Sequence, residues 1–450
     1  MLMRDPRLVV RNDGISLRGR SNEDTGKLEA ILGANQVQLR PLFGKAGDGA
    51  GTDCPQDVSP HPDQFFEVLG GDEAGLRIVA EQLLAGVQGL VRVAYLAPRS
   101  ELPTGDAGAD AAPGQVEGTD RQDYRKYQGY LDSPPDGIGA RSASAGRRAA
   151  WDVPGGKGAG VRVVDIEGAW NFDHDDLAET LGGLKFGTQT GNGLWRQHGT
   201  AVAGVIGGDN NAFGVTGIAP DAVFFAMSVY RDDDDQQHVS QTIESARRFL
   251  KPGEVLLLEQ EFKTQHGDLV PLEWYPDALA AITCATRKGI VVVEAAGNGG
   301  LNLDELPPFD SLKNPLTADA PSGAVMVGAG VSAYSANSER PARSRMRESN
   351  YGSRLDAQGW GDQVVSTGYG DIHQAPENQA YTIECFHSTS SASAIVAGAI
   401  ISMQGQRLAA DLQPLTPSEM RAWLVKRGSQ QQGSAEKIGN LPDLTVEQAQ

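Results

Sequence analysis

The distribution of apolar runs constrains this chain more than any other feature of its sequence. From about residue 124 onward, short runs rich in Val, Leu and Ile alternate with segments of helical periodicity. Runs that are apolar at nearly every position are typical of strands buried on both faces, so the alternation predicts an α/β fold with a parallel sheet and helices on both faces. The predicted strands are residues 161–166, 223–229, 255–258, 290–293 and 324–329, and the predicted helices are residues 198–207, 239–250 and 276–288.

The N-terminal part of the chain has a different character. Residues 64–98 have the pattern of a strand, a helix and a strand, which predicts a small α+β unit as the core of an N-terminal domain over residues 1–98. Residues 99–123 are rich in Pro, Gly, Ala, Asp and Thr without periodicity, and this composition predicts an exposed linker. We therefore expect the main α/β domain to occupy residues 124–450.

Charge and hydropathy exclude several classes of function. The net charge of -19 opposes binding to a nucleic-acid backbone. No run approaches the roughly 18 apolar residues that a membrane-spanning helix needs. The first residues, MLMRDPRLVVR, are interrupted by charges where a signal peptide would be apolar. We expect a protein that is cytoplasmic at synthesis, with export by a non-standard route left open.

The chain has three cysteines, Cys54, Cys284 and Cys385. They are too few and too scattered for a disulfide framework or a zinc site, so we expect three reduced, mostly buried thiols and no metal in the catalytic set. A single disulfide that leaves one odd thiol is the alternative. The acidic run at residues 232–235 is expected to be a solvated surface loop, with a calcium site as the alternative.

Four segments carry side chains suited to chemistry. Asp165 lies inside the first apolar run, where an ionised carboxylate needs a partner. His198 opens a run of small residues, and Asn298 directly follows an apolar run and is flanked by glycines. Ser390 begins an Ala/Gly/Ser-rich helix, whose N-terminal N–H groups favour an oxyanion. The carboxyl ends of parallel strands gather active-site residues, so these groups should meet there.

The order and the residue patterns of these segments resemble those of the subtilisin-like serine peptidases, the subtilase family or peptidase family S8, from about Tyr124 to the C-terminus. The resemblance rests on VRVVDIEG with HDDL at residues 161–168 and 174–177, HGTAVAG at 198–204, FGVTGIAP at 213–220, AAGN at 295–298 and STSSASAIVAG at 388–398. Two positions depart from the family pattern: Ser388 stands where the family has glycine, and Ala394 stands where it has proline.

The resemblance implies a serine endopeptidase acting on proteins or peptides, with no required cofactor. Ser390 would be the nucleophile, His198 the general base and Asp165 the carboxylate that orients the histidine, while Asn298 and the Ser390 N–H would bind the oxyanion. It also implies a substrate cleft between two walls, whose residues are Leu258, Glu259 and Glu261 on one side and Ala295, Gly297 and Gly299 on the other. Acidic groups beside the cleft would favour a basic residue near the cleaved bond, unless the glutamates face solvent.

The sequence leaves several alternatives open. A serine at position 388 is harmless if its φ is negative, but costs about 1 kcal/mol or more if the turn is left-handed. A catalytically impaired subtilase that acts as a binding or regulatory protein is therefore the main alternative, and a non-proteolytic acyl hydrolase is another. Residues 64–98 resemble the inhibitory propeptides of subtilases, with a permanently attached docking domain as the alternative; a separate inhibitor is the other implied partner.

Overall fold

The computed structural model describes most of the chain. The described residues are 1–3, 8–11, 14–17, 22–43, 53–102, 122–232, 236–307, 309, 313–317, 322–335, 340–373, 376–433 and 435–447. None of the helices in these ranges has both the length and the apolar character needed to cross a bilayer.

The described elements confirm the α/β class. The helices are α1 (Asn22–Ala34), α2 (Glu73–Gly86), α3 (Gly193–Gly207), α4 (Val239–Phe249), α5 (Pro276–Arg287), α6 (Ser388–Ala409) and α7 (Pro417–Lys426). The strands are β1 (Leu2–Met3), β2 (Leu8–Arg11), β3 (Gly14–Leu17), β4 (Gln38–Pro41), β5 (Phe66–Leu69), β6 (Val91–Val93), β7 (Ser100–Glu101), β8 (Arg147–Arg148), β9 (Arg162–Glu167), β10 (Leu181–Phe186), β11 (Val223–Ser228), β12 (Val255–Leu258), β13 (Glu261–Lys263), β14 (Leu269–Pro271), β15 (Val291–Ala295), β16 (Val325–Gly330), β17 (Ala357–Trp360), β18 (Ser366–Thr367), β19 (Tyr381–Thr382), β20 (Gly428–Ser429), β21 (Leu441–Pro442) and β22 (Val446–Glu447).

Seven parallel strands form the central sheet, in the order β10-β11-β9-β12-β15-β16-β17. Alternate residues of its central strands enter two separate cores. Val163 and Leu257 pack on the side of α3 and α6, whereas Val164 and Leu256 pack on the side of α4 and α5. Because both faces are covered, nearly every position in these strands is apolar, which is the pattern that the sequence showed.

The predicted strands and helices of the main domain match the structure closely at most ends. The sequence missed the two edge strands, because β10 contains two glycines and β17 is short and weakly apolar. The predicted start of α3, residue 198, is also too late. The helix begins at Gly193, capped by Asn192, whose side chain accepts a hydrogen bond from the Leu194 N–H. His198 therefore lies in the second turn of α3 and not at its start.

The N-terminal elements pack against the main sheet's helices. β4 pairs with β5 and β1 with β6, and α1 and α2 share a small apolar cluster with these strands. Leu2, Phe65 and Val93 belong instead to the same core as Ile243 of α4 and Ala281 of α5. The division at residue 98 stays a prediction, and residues 103–121 of the predicted linker lie outside the described part of the chain.

The expectation of three reduced thiols is wrong in this structure. Cys54 and Cys284 form a disulfide with a Cα–Cα distance of 5.4 Å, and Cys385 is free. The bond joins the N-terminal part to α5 across 230 residues of sequence. Spacing in the sequence does not predict which cysteines pair, because two cysteines so far apart meet only when both parts of the chain are folded together.

Candidate active site

The predicted catalytic side chains come together at the carboxyl end of the sheet. β9 carries Asp165 and Glu167, α3 carries His198, and Asn298 lies in the turn after β15. Ser390 lies in the first turn of α6, which packs on the same sheet face as α3. All five are buried except Asn298, which is partly buried.

His198 has a different carboxylate partner from the one predicted. Its Nδ1 lies 2.6 Å from Oε1 of Glu167. Asp165 instead accepts a hydrogen bond from Trp170 Nε1 at 2.8 Å and makes none with His198. The prediction for Asp165 is therefore wrong, because side chains two apart on a strand share a face and only Glu167, at the carboxyl end of β9, reaches the imidazole. The strand-end rule, applied strictly, would have selected Glu167 from the sequence.

Burial dominates the electrostatics of this centre. It raises the pKa of Glu167 well above its ordinary value, and it raises the pKa of Asp165 with a further contribution from the charge of Glu167. Burial also lowers the pKa of His198 to about 4, opposed by the charge of Asp165. A histidine with a lowered pKa is neutral at neutral pH, which is the form that a general base requires.

Asn298 is held in place by the turn that precedes Ser390. Its Oδ1 accepts hydrogen bonds from Ser388 Oγ at 2.5 Å, Thr389 Oγ1 at 2.7 Å and the Thr389 N–H at 3.2 Å. Its Nδ2 is buried and has no partner among the described residues. The amide is thereby oriented with its acceptor used and its donor free, which suits an oxyanion.

The two departures from the family pattern have different consequences. Ser388 has a φ of 66°, so the turn is left-handed, the conformation that a glycine adopts without strain. The bond from its hydroxyl to Asn298 offsets part of this strain. Ala394 lies buried in the interior of α6, where the absence of proline leaves the helix unbroken.

Ser390 is fully buried, and its Oγ makes no hydrogen bond in the described structure. The Nε2 of His198 is likewise buried and without a partner. The backbone N–H of Ser390 is one of the first four of α6, which have no acceptor within the helix. Catalytic hydrogen bonds are often longer before substrate binds, so this arrangement is compatible with a serine and a base awaiting substrate.

The predicted cleft residues do not all face a cleft. Leu258 points into the core on the α4 and α5 side of the sheet, and Ala295 is buried at the end of β15. Glu259 is fully buried, 4.0 Å from Nδ1 of His198, so it cannot pair with a substrate from a solvent-facing wall. Glu261 is also buried, and its Oε2 accepts a hydrogen bond from the Asn298 N–H at 2.6 Å.

The two glycines of the opposite wall lie against the β13–β14 hairpin. A Cβ on Gly297 would lie 2.9 Å from Asn350 Nδ2 and 3.1 Å from Glu261 Oε2. A Cβ on Gly299 would lie 2.9 Å from the Leu269 carbonyl oxygen. The small residues therefore permit close packing of this hairpin, in addition to any role at a pocket floor.

A short strand at the start of the predicted linker lies on the edge of β13. In β7, Glu101 pairs antiparallel with Glu261, and Ser100 with Phe262. On the other side of β7, Gln237 accepts a hydrogen bond from the Ser100 N–H at 2.6 Å and donates one to the Ser100 carbonyl at 3.1 Å. The strand β7 is thus held by β13 on one side and by Gln237 on the other, as an extended peptide is bound by strand addition.

One group of side chains has the residue types of a metal site. Glu167, His198 and Glu259 each place a ligand atom within 4.8 Å of the others. The 2.6 Å contact between Glu167 and His198 is a hydrogen-bond distance, shorter than the spacing of two ligands about 2.0–2.2 Å from one ion, so the geometry fits a shared proton better. Of the acidic run 232–235, only Asp232 is described, so the calcium alternative stays a prediction.

The comparisons with known proteins concern the family of this chain. The family model of the subtilase family, Peptidase_S8, matches residues 172–440, which include His198, Asn298 and Ser390. An intracellular serine protease of Paenibacillus polymyxa is 29% identical over 286 residues, 62% of this chain and 76% of the relative. Thermitase of Thermoactinomyces vulgaris is 30% identical over 36% of this chain, and subtilisin BL of Lederbergia lenta is 31% identical over 33%.

The matched share of each known protein differs from one comparison to the next. The alignments span about half of the length of thermitase and of subtilisin BL, 55% and 52%. A crystal structure of a cold adapted subtilisin-like serine proteinase overlaps 65% of this chain and 91% of its own, with 20% identity and a TM-score of 0.45. The family model, at residues 172–440, covers more than half of the chain. The chain belongs to the subtilase family of serine peptidases.

Proposed function

We propose that this chain is an endopeptidase that cleaves peptide bonds through Ser390, His198 and Glu167, with Asn298 in the oxyanion hole. One observation carries the proposal. Ser390 Oγ, His198 Nε2 and Asn298 Nδ2 are all buried and have no partner among the described residues. Buried polar atoms without partners are rare in folded proteins, and these three are the nucleophile, the base and the oxyanion donor of acyl transfer.

The mechanism follows from these positions. Ser390 Oγ attacks the scissile carbonyl and gives its proton to His198 Nε2, while Glu167 at Nδ1 fixes the tautomer and stabilises the imidazolium. Asn298 Nδ2 and the Ser390 N–H donate to the oxyanion. The imidazolium then protonates the leaving amine, and water hydrolyses the acyl-enzyme by the same route.

A serine-directed fluorophosphonate tests the proposal directly. We expect the label on Ser390 in the wild-type chain and none in Ser390→Ala. Casein and peptide assays run beside a simple ester then separate a peptidase from an acyl hydrolase, because an esterase of this type would cleave the ester alone. Labelling without peptide cleavage would overturn the endopeptidase proposal.

A catalytically impaired binding or regulatory protein is the second candidate. It is favoured by the left-handed Ser388 and by β7, which covers the edge of β13 in this structure. Under this alternative neither the fluorophosphonate nor a peptide reacts, even after residues 1–102 are detached. Full labelling of the detached form excludes it.

We also propose that residues 1–98 act as an inhibitory segment, with a processing site in the linker. The support is the placement of β7, which directly follows this segment, between Gln237 and β13. Intact-mass analysis under reducing conditions should show a shortened main chain for the wild type and an uncut chain for Ser390→Ala. Equal masses in both would favour the permanently attached docking domain.

A preference for Arg or Lys near the cleaved bond now depends on Glu261 alone. Burial, with a smaller contribution from Glu101, raises its pKa to about 7, so its charge develops near neutral pH. Departure of β7 would uncover it. The departure of β7 would also reduce the burial and remove the Glu101 charge that raise this pKa, so Glu261 should then be charged at neutral pH. Cleavage of a mixed peptide library at neutral pH should favour basic residues near the cleaved bond, and indifference to charge would contradict this preference.

We propose no required cofactor, and calcium at the 232–235 run as the alternative to a solvated loop. Unchanged thermal stability on adding a chelator would favour the loop. As for location, synthesis in the cytoplasm agrees with the intracellular relative, whereas the Cys54–Cys284 disulfide favours an oxidising compartment. Thiol alkylation of the freshly extracted protein decides between them.

A further inference from the structure

The acid beside His198 belongs to a group of three. Asp165, Glu167 and Glu259 are all fully buried. β12 pairs in parallel with β9, with Leu257 opposite Asp165. Because side chains alternate along a strand, Glu259 lies on the sheet face shared by Asp165 and Glu167. Three carboxyl groups thus converge on one imidazole.

The three carboxyl groups have too few positive charges around them to be neutralised if all three ionise. In the described part of the chain no Lys or Arg forms an ion pair with any of the three acids. The other titratable groups that face the centre are Tyr369, which lies near Glu167 and Glu259, and His387, which lies near His198. Burial raises the pKa of Glu259, and the charges of Asp165 and Glu167 raise it further. Like charges in one buried site cannot all ionise, so protons must remain in the group.

Two carboxyl oxygens without hydrogen-bond partners, one on Glu167 and one on Glu259, indicate where one of these protons lies. Glu167 uses Oε1 for His198, and its Oε2 has no partner. Glu259 accepts a long hydrogen bond from Ser393 at Oε1, 3.4 Å, and its Oε2 has no partner. An oxygen of Glu167 and an oxygen of Glu259 lie within 4.8 Å, a gap that a small side-chain rotation would close. A proton shared between them would satisfy both atoms.

Resting on the proposed function, we propose that Glu259 is a positioning residue that, as a neutral acid, donates a hydrogen bond to Glu167 and holds it against His198. Loss of this proton at high pH removes the donor and places a second negative charge beside Glu167. The alignment of Glu167 with Nδ1 is then lost, and catalysis falls. The enzyme therefore works on the acid side of the Glu259 ionisation.

Two variants separate this role from simple packing. Glu259→Gln keeps a donor at every pH, and Glu259→Leu fills the space without a donor. We expect the alkaline limb of wild-type kcat to move upward by about one pH unit or more in Glu259→Gln. We expect Glu259→Leu to lower kcat about 10- to 100-fold with little change in KM, since Glu167 loses its support.

The experiment measures kcat and KM of the full-length chain from pH 4 to 9, normalised to active sites by fluorophosphonate titration. An alkaline limb in Glu259→Gln that coincides with the wild-type limb, or the absence of any such limb in the wild type, would overturn the proposal. If Glu259→Leu does not fold, the profile of Glu259→Gln decides alone. A wild type without Ser390-dependent hydrolysis at any pH means instead that the proposed function has failed.

Discussion

Ser388 donates a hydrogen bond from its Oγ to Oδ1 of Asn298 at 2.5 Å while its own backbone is left-handed, with a φ of 66°. Ser388 therefore has a strained backbone and at the same time orients the Asn298 amide. Ser388→Ala keeps the strain and loses the bond, so we expect a loss of about 1–2 kcal/mol in the free energy of unfolding and a lower kcat. Ser388→Gly removes both, and should be the more stable and more active of the two. Urea unfolding and kcat measurements check this order, and equal behaviour of the variants would contradict it.

The identity of the triad carboxylate can be tested with two matched amides. Glu167→Gln removes the acceptor at His198 Nδ1 and should lower kcat by about 10³- to 10⁴-fold, because the imidazole loses its tautomer and its counter-charge. Asp165→Asn should retain kcat to within about 10-fold, because Asp165 bonds Trp170 instead. The reverse order of effects would restore Asp165 as the orienting acid.

Asn298→Ala removes the free amide donor without touching the nucleophile. We expect kcat to fall by about 10²- to 10³-fold with KM nearly unchanged, because the oxyanion forms only in the transition state. Fluorophosphonate labelling should still occur, though more slowly. A variant with a raised KM and an unchanged kcat would place Asn298 in substrate binding instead.

Three of the predicted site residues lie in distinctive local patterns of the sequence. His198, Asn298 and Ser390 each belong to a run of small residues or glycines that lets a helix or turn approach the sheet closely. The acid was predicted wrongly, because Asp165 and Glu167 lie on the same strand face and only Glu167, at the carboxyl end of β9, reaches His198. Glu259 was predicted to line the cleft because its burial depends on α6, whose Ser393 contacts it from 134 residues further along the chain.

Stability should depend on pH through Glu261. Burial raises its folded pKa to about 7, against about 4.3 in an unfolded chain. Between these values the folded state holds the extra proton, so stability falls as pH rises from about 4.3 to 7 and then levels off. In Glu261→Gln this contribution is absent. Melting temperatures from pH 4 to 8 should decline less in the variant, and parallel curves would contradict the assignment.

The disulfide should contribute measurably to stability. It closes a loop of 230 residues, for which the chain-entropy model gives a stabilisation of up to about 5 kcal/mol. Cys54→Ser with Cys284→Ser should lower the urea midpoint, and Cys385→Ser, which removes the free thiol, is the matched control and should leave it nearly unchanged. A double variant as stable as the wild type would show that the bond does not form in solution.

The same bond changes what a cut in the linker can do. Any cleavage between residues 103 and 121 leaves the two pieces covalently joined through Cys54 and Cys284, so β7 cannot diffuse away from β13. Its rebinding is then governed by an effective concentration set by the tether and not by the amount of protein present. Dilution alone would not relieve such an inhibitor, whereas a reductant or a second cut within the N-terminal piece would.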